Sequence, residues 1–183
     1  AAAEAIEAAG ISCPVRSVGS TPTALFATHL EGVTEMRPGV YMLGDIYQVY
    51  LGTCQAEDIA VSVLATVIGH KPGHDFALID AGGLALSKDR SAADHFDRNI
   101  GYGWVLDQDG QQHYSDITLG ITHQEHGWLQ AVEGTFPYSR QAVGSKVRIM
   151  PNHACMMAAP YESYYVVDGT DDIIETWDKT MGW

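Results

Sequence analysis

The sequence predicts an α/β segment over residues 1–55 followed by a mostly antiparallel all-β domain over 56–183. Two observations carry this. Residues 1–50 alternate helix-like and strand-like patterns. From about residue 56 the chain becomes a series of short segments rich in Val, Ile, Tyr and Trp, punctuated by Gly, Asp and Pro, with little that looks helical. That second pattern is the signature of a β-sandwich or barrel.

Taken in order, AAAEAIEAAG (1–10) is Ala-rich with Glu4 and Glu7 and a Gly stop at 10, which predicts the tail of a helix. It begins without Met and already in helical register, so the chain is expected to be the C-terminal part of something longer. ISCPVRSV (11–18) predicts a short strand, GSTPT (19–23) a turn, and ALFATHLEG (24–32) an irregular or helical link. MRPGVYMLGD (36–45) predicts a second strand opened by Pro-Gly. The run DIAVSVLATVIGH (58–70) is long for a strand and predicts a bent one. FALIDAGG, GYGWVLD, QHYSDITLGI, HGWLQAVEG, SKVRIMP, YYVVDG and DIIETW supply the other strands. The boundary is expected near 50–58.

Composition narrows the function. With 183 residues, 46% of them hydrophobic, the chain is long enough for a sizeable core. A net charge of −13 with only 10 Lys and Arg disfavours a phosphate backbone as partner, so nucleic acid is excluded. No run reaches the roughly 18 apolar residues of a membrane helix, and no secretory signal is visible. Cys13, Cys54 and Cys155 are an odd number at wide spacing, which points to a reducing, cytoplasmic compartment rather than a disulfide framework.

Four stretches carry candidate chemistry. Gly19, Ser20 and Thr21 follow a strand and read either as a plain turn or as an anion cradle of backbone N–H groups and hydroxyls. RPGVYMLGD (37–45) reads as a core strand with Asp45 as polar exit. THQEHG (122–127) brings His123, Glu125 and His126 close in sequence, which a loop satisfying its own backbone explains equally well. In PNHAC (151–155) an extended backbone places His153 and Cys155 on one face. Imidazole with thiolate suits Zn²⁺, with water or substrate filling the other positions; a buried core pair is the alternative.

GSTPTA, RPGVYMLGD, VSVLATVIGHKP, FALIDAGGLALSKD, QEHGWL, GSKVRIMPNHAC and the Trp-bearing tail occur in one order. In that order they resemble the C-terminal half of the D-serine dehydratase and D-threonine aldolase family, pyridoxal-phosphate enzymes of alanine-racemase-like fold. The resemblance implies that 1–55 is a remnant of a (β/α)₈ barrel and 56–183 a β domain. It implies that His153 and Cys155 hold Zn²⁺ or another divalent metal, and that Gly19, Ser20 and Thr21 belong to the phosphate loop of pyridoxal 5'-phosphate. Tyr41 and Asp45 are implied as cofactor-pocket residues on the last barrel strand. Aldolase-like members tend to carry Asp two after the metal His, where Cys155 stands here, so β-elimination of water from a D-β-hydroxy amino acid is the expected reaction. A D-threonine or D-3-hydroxyaspartate aldolase is the alternative, and a non-catalytic metal-binding or interaction domain is an alternative of another class. The family's cofactor lysine lies on the first barrel strand. Lys71, Lys88, Lys146 and Lys179 all fall outside the α/β segment, so this chain alone is expected to be inactive. A missing N-terminal half or a partner chain is expected to complete the barrel, and a homodimer to complete the site.

Overall fold

The computed structural model describes residues 2–71, 73–97 and 99–181. The expected terminal Trp183 lies outside them. The expected helix tail is α1 (Ala2–Ala8). The strand expected over 11–18 shrinks to β1 (Ser17–Gly19), because Pro14 removes a donor and only the last residues reach a partner. That partner is β2 (Glu35–Arg37), paired in parallel with Ser17 opposite Glu35 and Gly19 opposite Arg37. GSTPT is a strand-to-helix junction and not a plain turn. Ser20 caps α2 (Thr21–Phe26), and Pro22 sits in its first turn, where its missing N–H costs nothing.

The strand expected over 36–45 is a correction too. It ends at Arg37, since Pro38 and Gly39 break the ladder. A 3₁₀ turn (Val40–Met42) follows, so Tyr41 is not on a strand. Asp45 is the N-cap of α3 (Ile46–Leu51), which Gly52 closes in the left-handed conformation at φ 74°. The sequence held this signal: Asp-x-x-Gln at 45–48 opens a helix and Gly ends it.

The β region closes into a six-stranded antiparallel barrel. Its strands are β3 (Val63–His70), β4 (Phe76–Ile79), β5 (Gly103–Leu106), β6 (His113–Thr122), β7 (Gly127–Ala131) and β8 (Lys146–Pro151). They run β3-β4-β7-β6-β5-β8 around the barrel. The bend expected in 58–70 is a register shift in β3 between Val67 and Gly69. Alternate residues Ala65 and Val67, Ala77 and Ile79, Ile117 and Leu119, and Val147 and Ile149 point inward and are buried together with Val105 and Leu129. Each such Leu or Ile side chain contributes roughly 1.5–3 kcal/mol when taken out of water. Gly127 lets two strands crowd: a Cβ there would stand 2.6 Å from both the Ala81 carbonyl oxygen and Leu119 Cδ1.

Two short helices interrupt the β region, α4 (Gly83–Leu86) and α5 (Ala154–Ala158). A separate antiparallel hairpin, β9 (Ser163–Val166) with β10 (Glu175–Asp178), follows. A second buried cluster joins Ile46 of α3 to Ile59, Ala92, Ala93 and Ile100, so α3 packs against residues beyond the expected 55/56 boundary. Among the described residues, no helix is long and apolar enough to cross a membrane.

Candidate metal centre

β8 ends at Pro151, paired with Gly103 on β5. Asn152 is next, 2% exposed, and its Nδ2 donates to the carbonyls of Asp89 (3.2 Å) and Gly101 (3.0 Å). These bonds tie the strand exit to the loop after α4 and to the start of β5. His153 follows as the extended N-cap of α5, and Cys155 lies inside the helix. His153 and Cys155 therefore do not share the face of an extended segment as expected: the backbone turns helical at Ala154, where the Met157 amide bonds back to the His153 carbonyl. His153, still extended as the N-cap, and Cys155, inside the helix, flank Ala154 at the first turn of α5.

The His153 ring is oriented by a carboxylate. Its Nδ1 donates to Asp89 Oδ2 at 2.6 Å, and Asp89 Oδ1 accepts the Ser91 amide at 2.6 Å. A carboxylate only accepts, so Nδ1 carries a proton, and in the neutral ring Nε2 is the lone-pair nitrogen. Burial acts to raise the Asp89 pKa, but the bonds from His153 and Ser91 outweigh it and hold the carboxyl below its ordinary value. Such a carboxylate–histidine pair is the usual support behind a metal-binding imidazole. Sequence reading missed Asp89, although it ends the LSKD stretch of the motif series; only the fold carries it 64 residues to His153.

Asp45 sits behind the same turn, 1% exposed. Its Oδ1 accepts the Gln48 amide and its Oδ2 the Ala154 amide, both at 2.9 Å. Burial pushes its carboxyl up, against the hydrogen bonds from Ala154 and Gln48. Burial, reinforced by the Asp45 charge, pushes the Cys155 thiol up as well. Asp45 is thus brought to His153 and Cys155, whereas Gly19, Ser20, Thr21 and Tyr41 form a second locus.

In that locus Ser20 holds φ 85° and ψ 144° while its hydroxyl accepts the Thr23 amide. Thr21 is buried, and its Oγ1 accepts the Tyr41 amide at 3.1 Å, tying the 3₁₀ turn to the loop; the Tyr41 residue is 63% exposed. The Arg37 guanidinium lies beside the loop, its Nη2 3.5 Å from where a Gly19 Cβ would stand. Sequence reading missed this cation, which the parallel β1–β2 register delivers. Among the described residues the non-glycine positive φ values belong to Ser20 and to Ser87 (φ 65°), two residues before Asp89. Such conformations cost about 1–3 kcal/mol and gather at functional loops.

THQEHG is the tight β6–β7 connection, closed by the His123 amide on the His126 carbonyl at 2.8 Å. Its neighbours α4 and Gly83 bond to the same loop, which satisfies its backbone. Among the described residues, no group of three or more His, Cys, Asp and Glu side chains converges. The donor chemistry at 153–155, one oriented imidazole and one thiol, fits Zn²⁺ with its remaining positions left to water or substrate. Of the lysines, Lys146 lies 4.0 Å from Asp171, and Lys179 donates to the Ala158 carbonyl at the end of α5.

Known proteins resemble this chain in sequence and in fold. D-threo-3-hydroxyaspartate dehydratase of Delftia sp. HT23 is 45% identical over 185 residues, covering all of this chain and 48% of the relative. Its structure superposes with a TM-score of 0.84. One structure of that dehydratase with a cysteine changed to alanine is metal-free, and another has a histidine changed to alanine; the two positions are two apart. D-serine dehydratase of Dictyostelium discoideum is 34% identical, covering 97% of this chain and 45% of the relative. An alanine-racemase-like protein of Idiomarina loihiensis is 38% identical with a TM-score of 0.84, covering all of this chain and 48% of its own. The chain spans about half the length of the curated relatives it matches. The family profile described as "putative serine dehydratase domain" matches residues 60–167, more than half of the chain, and this chain belongs to that family.

Proposed function

We propose that this chain supplies the C-terminal half of a pyridoxal-phosphate- and metal-dependent lyase that removes water from D-3-hydroxy amino acids. The observation that carries the reading is His153, its Nδ1 clamped by Asp89 at 2.6 Å and Cys155 two residues on. That spacing repeats the histidine and cysteine positions substituted in the Delftia dehydratase structures. His153 Nε2 and Cys155 Sγ would hold Zn²⁺, and Gly19, Ser20 and Thr21 would turn backbone and hydroxyl donors to the cofactor phosphate. When bound, Zn²⁺ supplies Lewis acidity toward the substrate hydroxyl and pyridoxal phosphate an electron sink at Cα.

The chain's own contributions follow from its geometry. Asp89 keeps His153 in the tautomer that offers a lone pair. Arg37 adds positive charge beside Gly19, shared with Glu35 at 3.3 Å. Tyr41, anchored by its amide to Thr21, lines the cofactor pocket from the 3₁₀ turn. Residues 1–55 would complete a (β/α)₈ barrel whose remaining strands, with the cofactor lysine, lie on the N-terminal half or a partner chain. Residues 56–183 form the β domain carrying the metal. The assembly would be a homodimer, and its three cysteines, free in the structure, suit the cytoplasm.

The test is product analysis on the full gene product with D-serine, D-threo-3-hydroxyaspartate and D-threonine. A dehydratase releases a 2-oxo acid and ammonia; glycine and an aldehyde identify an aldolase instead. Absence of both, with no cofactor absorbance, identifies a non-catalytic domain. His153→Ala and Cys155→Ala should each lower zinc content and turnover, and wild-type values in both variants would sink the metal assignment.

A further inference from the structure

We infer that Asp45 is a positioning residue for the His153–Cys155 pair, holding the first turn of α5 through its second carboxylate oxygen. The inference rests on the metal reading above and assigns it a support 109 residues away in sequence.

An N-cap needs one acceptor, and serine or asparagine serves that role as well as aspartate. Asp45 uses two. Oδ1 caps α3 through Gln48 N, and Oδ2 takes the amide of Ala154, the residue between the two proposed ligands. The opposite bond runs back from the same helical turn: the Tyr47 amide donates to the Asn152 carbonyl at 3.3 Å. The first turn of α3 therefore brackets His153, with one bond on the residue before it and one on the residue after. Burying a carboxylate is costly unless its oxygens are satisfied. Capping a six-residue helix does not explain that cost, because a neutral side chain would do it. The second bond does, since serine or asparagine presents one acceptor atom where the carboxylate presents two, one aimed at each helix. The bracket fixes the backbone of 152–154, while Asp89 fixes the ring. Both degrees of freedom of His153 are thus held, one from each side of the 55/56 boundary.

Asp45→Ser keeps a side-chain cap for α3 but is too short to serve Ala154 as well. In the full gene product, Zn²⁺ affinity measured by competition with a chromophoric chelator should fall about tenfold or more, the range seen when supports behind metal ligands are removed. kcat should fall at limiting zinc and recover at saturating zinc. Thr53→Val is the control: Thr53, just past the C-terminal end of α3, donates its hydroxyl back to the Gln48 carbonyl and side chain, so its loss loosens the helix while leaving both bonds to 152–154 in place. It should lower the unfolding midpoint and leave zinc affinity unchanged. Wild-type zinc affinity in Asp45→Ser overturns the inference, as does an equal loss in Thr53→Val. If Asp45→Ser does not fold, the isosteric Asp45→Asn turns an amide donor against the Ala154 N–H. It should show the same loss, and wild-type affinity there is equally fatal. His153→Ala, run in parallel, separates the two readings. If it binds zinc normally, the metal assignment itself has failed; if it does not, and Asp45→Ser does, only the positioning role has failed.

Discussion

Asp89→Asn is nearly isosteric, yet it should damage the proposed metal centre. Both carboxylate oxygens of Asp89 are acceptors at 2.6 Å, one for His153 Nδ1–H and one for the Ser91 amide. An asparagine has only one acceptor to offer. If its oxygen faces Ser91, its NH₂ faces His153, Nδ1 must become the acceptor, and the proton moves to Nε2, where the ligand lone pair was. If its oxygen faces His153, the NH₂ opposes the Ser91 N–H, which costs about 1–3 kcal/mol for the orphaned donors. Either arrangement penalises the metal-binding tautomer. Zinc affinity should fall roughly tenfold to a hundredfold, or about 1.4–2.8 kcal/mol. Asp89→Ala removes both bonds but lets water accept from Nδ1–H, so asparagine should be no better than alanine. The assay is zinc competition on the full gene product, with the His153 tautomer read from ¹⁵N-histidine spectra. Zinc affinity and an Nδ1–H tautomer both unchanged in Asp89→Asn would show that Asp89 does not set the His153 tautomer.

The barrel offers a stability test in each direction. Leu129→Ala removes a fully buried side chain from the barrel interior and should cost about 2–5 kcal/mol in denaturant unfolding. Gly127→Ala adds a methyl group 2.6 Å from a backbone carbonyl oxygen that cannot swing away, and should cost about 1–3 kcal/mol in the same measurement. At Ser20, glycine and alanine should diverge. Ser20→Gly relieves the positive φ and should hold or raise the unfolding midpoint, whereas Ser20→Ala keeps the strain, loses the cap and should cost about 1 kcal/mol. A glycine variant less stable than the alanine variant would show that the φ is not strained.

The sequence by itself determined the parts that depend on local chemistry and period. Short segments rich in Val, Ile, Tyr and Trp, punctuated by Gly, Asp and Pro, specified antiparallel β structure from about residue 56, because β-branched and aromatic side chains suit a pleated, half-buried surface. The motif order specified the family, and His153 with Cys155 offered a candidate N/S donor pair. Element ends were less legible. Pro38 and Gly39 cut a run whose apolar residues read as one strand, and the Asp45–Gln48 cap was hidden within it. Tertiary structure alone decided closure into a barrel rather than a sandwich, since that depends on β3 pairing with both β4 and β8. It alone joined Asp89 to the ring of His153, Asp45 to the amide of Ala154 and Arg37 to the side of Gly19. These contacts run between residues 18 to 109 positions apart. No spacing rule reaches across such distances, because a buried carboxylate finds its donor through the packing of the whole chain.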